Sequence, residues 1–91
     1  MSNPVTDNTA RSRFELVEQG ETAFATYRRN GDVVIIPHVE SPPALRGKGT
    51  ADRLMRGIVE HARADGFKIE PWCSYAAAWL RRHSDAKDVL A

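Results

Sequence analysis

A short basic segment with two glycines, Arg46-Gly47-Lys48-Gly49-Thr50-Ala51, stands directly before the clearest helical pattern of the chain. Glycines let backbone N–H groups approach a ligand closely, and the first turn of a helix adds unpaired N–H donors and the positive end of its dipole. Residues 46–56 contain one acidic residue, Asp52, against four basic ones, Arg46, Lys48, Arg53 and Arg56. We therefore expect residues 46–51 to bind a phosphate or pyrophosphate. The alternative is a turn that caps the helix among solvated arginines.

Two well-known phosphate-binding motifs do not fit this spacing. A P-loop requires glycine at the position of Pro42 and Ser or Thr directly after Lys48, where Gly49 stands. The dinucleotide-binding pattern G-x-G-x-x-G would need a third glycine at the position of Asp52. Neither a P-loop enzyme nor a Rossmann-type dehydrogenase is therefore indicated.

A second group of residues suits proton transfer. His38 and Glu40 are two residues apart on a predicted strand, so their side chains share one face. Cys73 immediately precedes a predicted helix, whose N-terminal dipole favours the thiolate, and Tyr75 is an alternative acid. His38, Glu40 and Cys73 lie near the carboxyl ends of strands, where ligands gather in parallel α/β arrangements. Each has a structural alternative: a backbone-bonded histidine, a solvated glutamate, a core cysteine and a core tyrosine.

The elements that must position these residues begin with an antiparallel meander. Phe14 and Leu16 alternate with polar neighbours, and Ala23, Ala25 and Tyr27 share one face of the next strand. Asn30-Gly31 is a strong hairpin turn. Val33-Val34-Ile35-Ile36 is a β-branched run, which predicts a strand covered on both faces. Pro37 should mark an edge, a bulge or the point where this strand parts from a neighbour.

Residues 50–65 predict the main helix, because apolar side chains recur at helical spacing: Ala51, Leu54, Met55, Ile58, Val59 and Ala62. Gly66 should end it in the left-handed conformation. Residues 67–72 then predict a strand and residues 74–82 a second helix. Strands at 33–40 and 67–72 around the main helix imply a right-handed parallel crossover. The fold class is therefore α/β (α+β), a twisted, mostly antiparallel sheet with one parallel crossover and two principal helices.

Length and composition restrict the remaining possibilities. The 91 residues allow one domain, which we assign to residues 13–91 after a flexible lead-in over residues 1–12. The net charge of +1 argues against a nucleic-acid binder. No metal site is predicted, because His38, His61, Cys73 and His83 lack ligand spacing. There is no apolar run of membrane or secretory length, and one unpaired cysteine makes a reducing cytoplasm the expected location.

The segment at residues 46–51 resembles the Q/R-x-x-G-x-G/A motif of the GNAT superfamily of N-acetyltransferases. The motif lies where that superfamily has it, after a strand and at the start of a helix. A minimal group of GNAT-like proteins of about this length shares further marks with the chain, over roughly residues 13–85. These marks are His38-Val39-Glu40, Leu45-Arg46-Gly47-Lys48-Gly49, Pro71-x-Cys73-x-Tyr75 and Arg82-His83.

The resemblance implies a GNAT-like fold and acetyl-CoA as co-substrate, with its pyrophosphate on the backbone amides of residues 46–51. The pantetheine arm would run between the diverging strands 33–40 and 67–72. Acetyl transfer to an amine needs a base for the amine proton and an acid for the leaving thiolate. We take His38, Glu40, Cys73 and Tyr75 as candidates for these roles, and Cys73 is alternatively a nucleophile that would accept the acetyl group itself. The expected function is acetyl transfer to a small-molecule or protein amine by direct attack.

The chain departs from full-size members of this superfamily, since it lacks the early helices that shape the acceptor site and the late strand hairpin. A non-catalytic acyl-CoA-binding or sensing module is therefore the main alternative. A nucleic-acid or protein interaction domain that uses the basic segment is a third. The sequence does not identify the acceptor or the oligomeric state.

Overall fold

All strands of the chain join one sheet in the computed structural model, which describes residues 3–91. The strands lie side by side in chain order, antiparallel except for the parallel pair β4–β5. Their bounds, with those of the two α-helices, are β1 (Thr6–Asn8), β2 (Arg13–Glu18), β3 (Glu21–Asn30), β4 (Val33–Glu40), α1 (Thr50–Asp65), β5 (Lys68–Pro71) and α2 (Ser74–Arg82). The predicted fold class is confirmed.

Helix α1 forms where the apolar spacing predicts it. Its stripe of side chains faces the core, where Leu54, Met55 and Ile58 are fully buried. Gly66 ends the helix at φ 79°, and its N–H donates to Ala62 O over 2.8 Å. Within residues 3–91, no helix has both the length and the apolar character needed to cross a membrane.

The run Val33–Ile36 is buried on one face, not two. Val34 and Ile36 are fully buried, whereas Val33 and Ile35 are half-buried. The expectation of a strand covered on both faces was wrong, because both helices contribute to a single core on one side of the sheet. The β-branched composition indicated a strand correctly but carried no information about its second face.

The regular structure begins before Arg13. Strand β1 pairs with β2, and Val5 just before it is 1% exposed. Gly57 of α1 makes room for this residue, since a Cβ at Gly57 would lie 2.2 Å from Val5 Cγ2. His61 Nε2 also donates to Val5 O over 2.6 Å. For the described residues 3–12, the expected flexible lead-in is therefore corrected: part of it is a strand, and part belongs to the core.

The remaining segments are short 3-10 turns, at Thr9–Arg11, Pro43–Leu45 and Ser84–Val89. The last one brings the final residues to the outer edge of β5. There Leu90 forms a parallel bridge with Ile69, and Ala91 N donates to Ile69 O over 2.8 Å. The short strand β5 thus has partners on both sides.

Candidate functional site

The loop between β4 and α1 presents free backbone amides. Gly47 and Gly49 have φ values of 76° and 78°, which turn the chain sharply before Thr50. Among the described residues, the amides of Gly47, Gly49 and the first three residues of α1, Thr50–Asp52, have no backbone partner; Arg53 N is the first amide of the helix to donate, to Gly49 O. A Cβ at Gly47 would meet nothing within 4 Å, so open space lies in front of the loop. Free amides at a helix N-terminus beside open space fit a phosphate group.

Glu18, at the end of β2, holds this loop to the sheet. Its Oε1 accepts a 2.6 Å hydrogen bond from Thr50 Oγ1, and its two oxygens accept bonds from Arg53 at 2.7 and 2.8 Å. Arg53 Nη2 also donates to Lys48 O over 2.8 Å. The Arg53 guanidinium and the Thr50 hydroxyl hold the pKa of Glu18 at about 2, against 4.5 for an unperturbed glutamate.

This contact changes the roles expected for the cluster of cations. Arg53 is committed to Glu18, and Arg56 pairs with Asp52 at 3.4 Å. Arg46 and Lys48 are exposed and form no ion pair with any described residue. The charges available to an anion at the loop are therefore those of Arg46 and Lys48.

Thr50 is buried, at 1% exposed, and its hydroxyl is bound to Glu18. Of the predicted phosphate contacts, Thr50 can therefore offer its main chain and not its side chain. Sequence reasoning missed Glu18, because 32 residues separate it from Thr50 and no local pattern links the two.

The loop opens onto a groove made of two adjoining cavities. One, of about 260 Å³, is lined by Gly47, Gly49 and Thr50. The other, of about 340 Å³, is lined by His38 and Glu40. The two cavities share four wall residues, Ser41, Arg46, Ala51 and Tyr75. Amides suited to an anion and groups suited to proton transfer therefore lie along one groove.

The groove lies where β4 and β5 separate. Their pairing ends at Ile36 and Pro71, and the N–H groups of Trp72 and Cys73 both donate to Ile36 O, at 2.9 and 3.1 Å. On the other side of β4 the register with β3 shifts, so that Ile36 and Pro37 together oppose a single residue. The expectation for Pro37 is confirmed: it lies at a bulge where the strands part.

His38 and Glu40 form a hydrogen-bonded pair at this opening. His38 Nε2 lies 3.0 Å from Glu40 Oε1, and each side chain is slightly more than half exposed. A carboxylate can only accept a hydrogen bond, so Nε2 of a neutral His38 carries the proton and Nδ1 keeps its lone pair. The predicted shared face is confirmed, and the arrangement leaves Nδ1 available as a base.

Tyr75 lines the groove, whereas Cys73 does not. Half-buried Tyr75 lines both cavities, and its burial, together with the negative charge of Asp52, raises its pKa above the usual value. The phenol therefore keeps its proton at neutral pH. Cys73 is also half-buried, and like Tyr75 it packs against the hydrophobic core, but it lines neither cavity of the groove. Of the four residues considered for proton transfer, three line the groove and Cys73 does not.

Two residues outside the predicted set, Ser41 and Asp52, also help to form the site. Ser41 lines both cavities, and its buried Oγ has no hydrogen-bond partner among the described residues, which leaves a polar atom for a ligand in the groove. Asp52 Oδ1 accepts a 2.8 Å bond from Trp79 Nε1 and thereby fixes α2 to the first turn of α1. Neither residue was predicted from the sequence to belong to the site. Within residues 3–91, no group of three His, Cys, Asp or Glu residues suits a metal ion.

Comparison with known proteins agrees with this geometry. A solution NMR structure of a GCN5-like N-acetyltransferase candidate from Staphylococcus aureus superposes with a TM-score of 0.69 at 26% sequence identity. The match covers 100% of this chain and 91% of the other. A family model described as GCN5-related N-acetyl-transferase matches residues 13–89, which include every residue of the groove. The chain belongs to the GCN5-related N-acetyltransferase family.

Proposed function

We propose that this chain transfers the acetyl group of acetyl-CoA to an amine, by direct attack within a ternary complex. One observation carries the proposal: the cavity beside the free amides near Gly47 and the cavity beside the His38–Glu40 pair adjoin and share four wall residues. Family membership supports acetyl transfer in general. The co-substrate and the direct route are argued from the residues of the groove.

The loop fits the pyrophosphate of coenzyme A. Gly47 and Gly49 keep side chains away from the amides, and Arg46 and Lys48 add positive charge. An anion there gains from several oriented N–H donors and from the helix dipole together. The arm that follows would extend along the shared wall of the cavities, where Ser41 Oγ lacks a partner.

Acetyl-CoA supplies an acetyl group already activated as a thioester. His38 accepts the proton of the attacking amine at Nδ1, and Glu40 stabilises the resulting imidazolium through Nε2. Tyr75 donates its phenolic proton where a thiolate leaves; the phenol is protonated at neutral pH, since its burial raises its pKa above the usual value. A positioned acid or base of this kind contributes about 10²- to 10⁴-fold in rate.

The first test is equilibrium titration with acetyl-CoA. Saturable binding is expected, and the absence of binding at high micromolar concentrations would overturn the proposal. Transfer of radiolabelled acetyl groups to a broad panel of amines then separates an enzyme from a module that only binds acyl-CoA. Binding without any transfer would favour the binding module.

A Cys73→Ala variant separates direct attack from a route through an acetylated cysteine. Because Cys73 packs against the core and lines neither cavity, we expect the variant to keep most of its turnover. Intact-protein mass spectrometry should find no acetyl adduct on the wild type after brief incubation with acetyl-CoA. Loss of turnover in the variant, together with an adduct on Cys73 in the wild type, would overturn direct attack.

A further inference from the structure

Both helices pack on one face of the sheet, which leaves the other face open. Among the described residues, each of the strands β2–β5 has buried side chains on the face that the helices cover. On the opposite face, no side chain of these strands is buried. The register brings open-face residues together across β3, β4 and β5, since His38 lies opposite Thr26 and Ile35 lies beside Glu70. His38 and Glu40 therefore face the groove and also border the open face.

Trp72 stands at the edge of this face, where β5 ends. It is 60% exposed, and its indole Nε1 donates to Glu70 Oε2 over 2.5 Å. This bond places the ring on the same side as Glu70 and fixes its orientation. Trp72 follows Pro71, which pairs with Ile36, so it lies at the level of the bulge just before His38.

The ring of Trp72 has no stacking partner among the described residues, unlike the rings of the three phenylalanines and of Trp79. Guanidinium groups lie over Phe24, Phe67 and Trp79, at 4.4 to 5.6 Å from the ring centres. Within the part of the chain that the structure describes, neither a cation nor an aromatic ring stacks on Trp72. Tryptophan binds cations more strongly than any other aromatic side chain.

The charges near Trp72 also favour the binding of a cation there. The Glu70 carboxylate accepts a hydrogen bond from the indole and places negative charge beside the ring. The cations on this face have partners or lie further away: Arg13 pairs with Glu15, Lys68 Nζ donates to Asp88 O, and Ile35 stands between Glu70 and Arg28 in the register. An exposed indole beside a carboxylate offers an organic cation both an aromatic face and a negative charge.

We propose that Trp72 and Glu70 recognise the acceptor through a second cationic centre, separate from the amine that is acetylated. The proposal rests on the function proposed above and specifies its substrate class as small di- or polyamines. The reacting amine must be neutral when it attacks at His38, so it cannot itself provide a lasting charge for the indole. A second ammonium group can occupy the site throughout the reaction.

The binding part is tested with two probes of the same shape, tetramethylammonium and tert-butanol, neither of which can be acetylated. Indole N–H resonances of Trp72 and Trp79 are followed by NMR and assigned with Trp72→Phe. Tetramethylammonium is expected to shift the Trp72 resonance saturably and tert-butanol is not. The affinity should fall severalfold in Glu70→Gln. Equal shifts from both probes, or none, would overturn the proposal.

The catalytic part uses 1,4-diaminobutane and 4-amino-1-butanol, which differ in whether the far end is charged. We expect kcat/KM to be about fivefold higher for the diamine in the wild type, as for an exposed cation–π contact. The ratio should approach one in Trp72→Leu, with the KM for acetyl-CoA unchanged. Val17→Ser, which alters another exposed apolar side chain, is the matched control and should keep the fivefold ratio.

The outcomes separate the two proposals. A ratio of one in the wild type, or an unchanged ratio in Trp72→Leu, would overturn recognition by Trp72 while leaving acetyl transfer intact. Saturable tetramethylammonium binding at Trp72, with no transfer to any amine, would support the cation site and overturn the proposed enzymatic function.

Discussion

Thr50, the first residue of α1, donates a 2.6 Å hydrogen bond from Oγ1 to Oε1 of Glu18, the last residue of β2. The contact ties the N-terminus of the helix to the sheet. Glu18 also binds Arg53, so the loop proposed to bind phosphate is positioned by a carboxylate that would not itself touch a phosphate.

Glu18→Ala should destabilise the protein by about 1–3 kcal/mol, because the buried Thr50 hydroxyl loses its acceptor. Urea denaturation followed by circular dichroism measures the change in the free energy of unfolding. Glu21→Ala is the matched control, since Glu21 is exposed at the other end of the same turn and should change stability little. Equal effects of the two substitutions would contradict the assigned role of Glu18.

The stabilisation by Glu18 should depend on pH in a defined direction. Its folded-state pKa of about 2 lies below the ordinary value of 4.5, so the folded state binds its proton less readily than the unfolded state. The stabilising contribution is therefore complete above about pH 4.5 and is lost as the pH falls towards 2. The difference in stability between the wild type and Glu18→Gln, measured from pH 7 to pH 2.5, should shrink accordingly. A difference that stays constant over this range would contradict the assignment.

Gly47→Ala should weaken acetyl-CoA binding by more than its effect on stability explains. Both Gly47 and Gly31 have positive φ and open space where a Cβ would stand, so alanine at either position costs about 1–2 kcal/mol of backbone strain. Only Gly47 lies in the groove, where a methyl group would project towards the ligand. Isothermal titration calorimetry should show weaker binding for Gly47→Ala and unchanged binding for Gly31→Ala. Equal affinities in the two variants would remove Gly47 from the binding site.

His38→Ala should lower kcat by about 10²- to 10⁴-fold, with the affinity for acetyl-CoA unchanged, because it removes the proposed base and no loop amide. Glu40→Gln should cause a smaller loss of kcat. An amide can donate as well as accept, so it no longer holds the proton of His38 on Nε2. Steady-state kinetics with saturating acetyl-CoA separates kcat from KM. A kcat that survives both substitutions would exclude this pair from proton transfer.

Gly57→Ala should release the N-terminal segment from the core. The new Cβ would overlap Val5, which is 1% exposed, and overpacking of this kind costs about 1–3 kcal/mol. The loss should appear despite the higher helix propensity of alanine. Faster amide hydrogen exchange in β1, with protection retained in β3, would identify the released segment. Unchanged exchange in β1 would contradict the packing of Val5 against Gly57.

Much of the fold could be predicted from local patterns. The stripe from Leu54 to Ala62 predicted α1 because helical spacing places those side chains on one face, and Gly66 predicted its end because glycine readily adopts positive φ. The prediction failed at β1, where Val5 carries no periodic signal. Its burial depends on the missing side chain of Gly57, 52 positions away.

In the candidate site too, local patterns predicted some features and long-range contacts determined the others. The spacing of His38 and Glu40 on a strand correctly predicted a shared face. The glycines and cations of residues 46–51 predict an anion-binding loop, and anion binding there stays a prediction. Both inferences concern residues close together in the chain, where strand and turn geometry determine the relative positions of side chains. The proton-transfer groups and the loop were expected to cooperate, but no local rule gave the distance between them.

Only the tertiary structure decided which charges are free, which side chains share the groove and which face of the sheet is open. It assigned Arg53 to Glu18, placed Tyr75 in the groove and Cys73 against the core, and left Trp72 exposed beside Glu70. Each of these facts depends on contacts between distant segments of the chain, whose packing no short-range spacing describes. Local sequence thus determined the elements and the chemistry available to this protein, while packing determined which groups can act together.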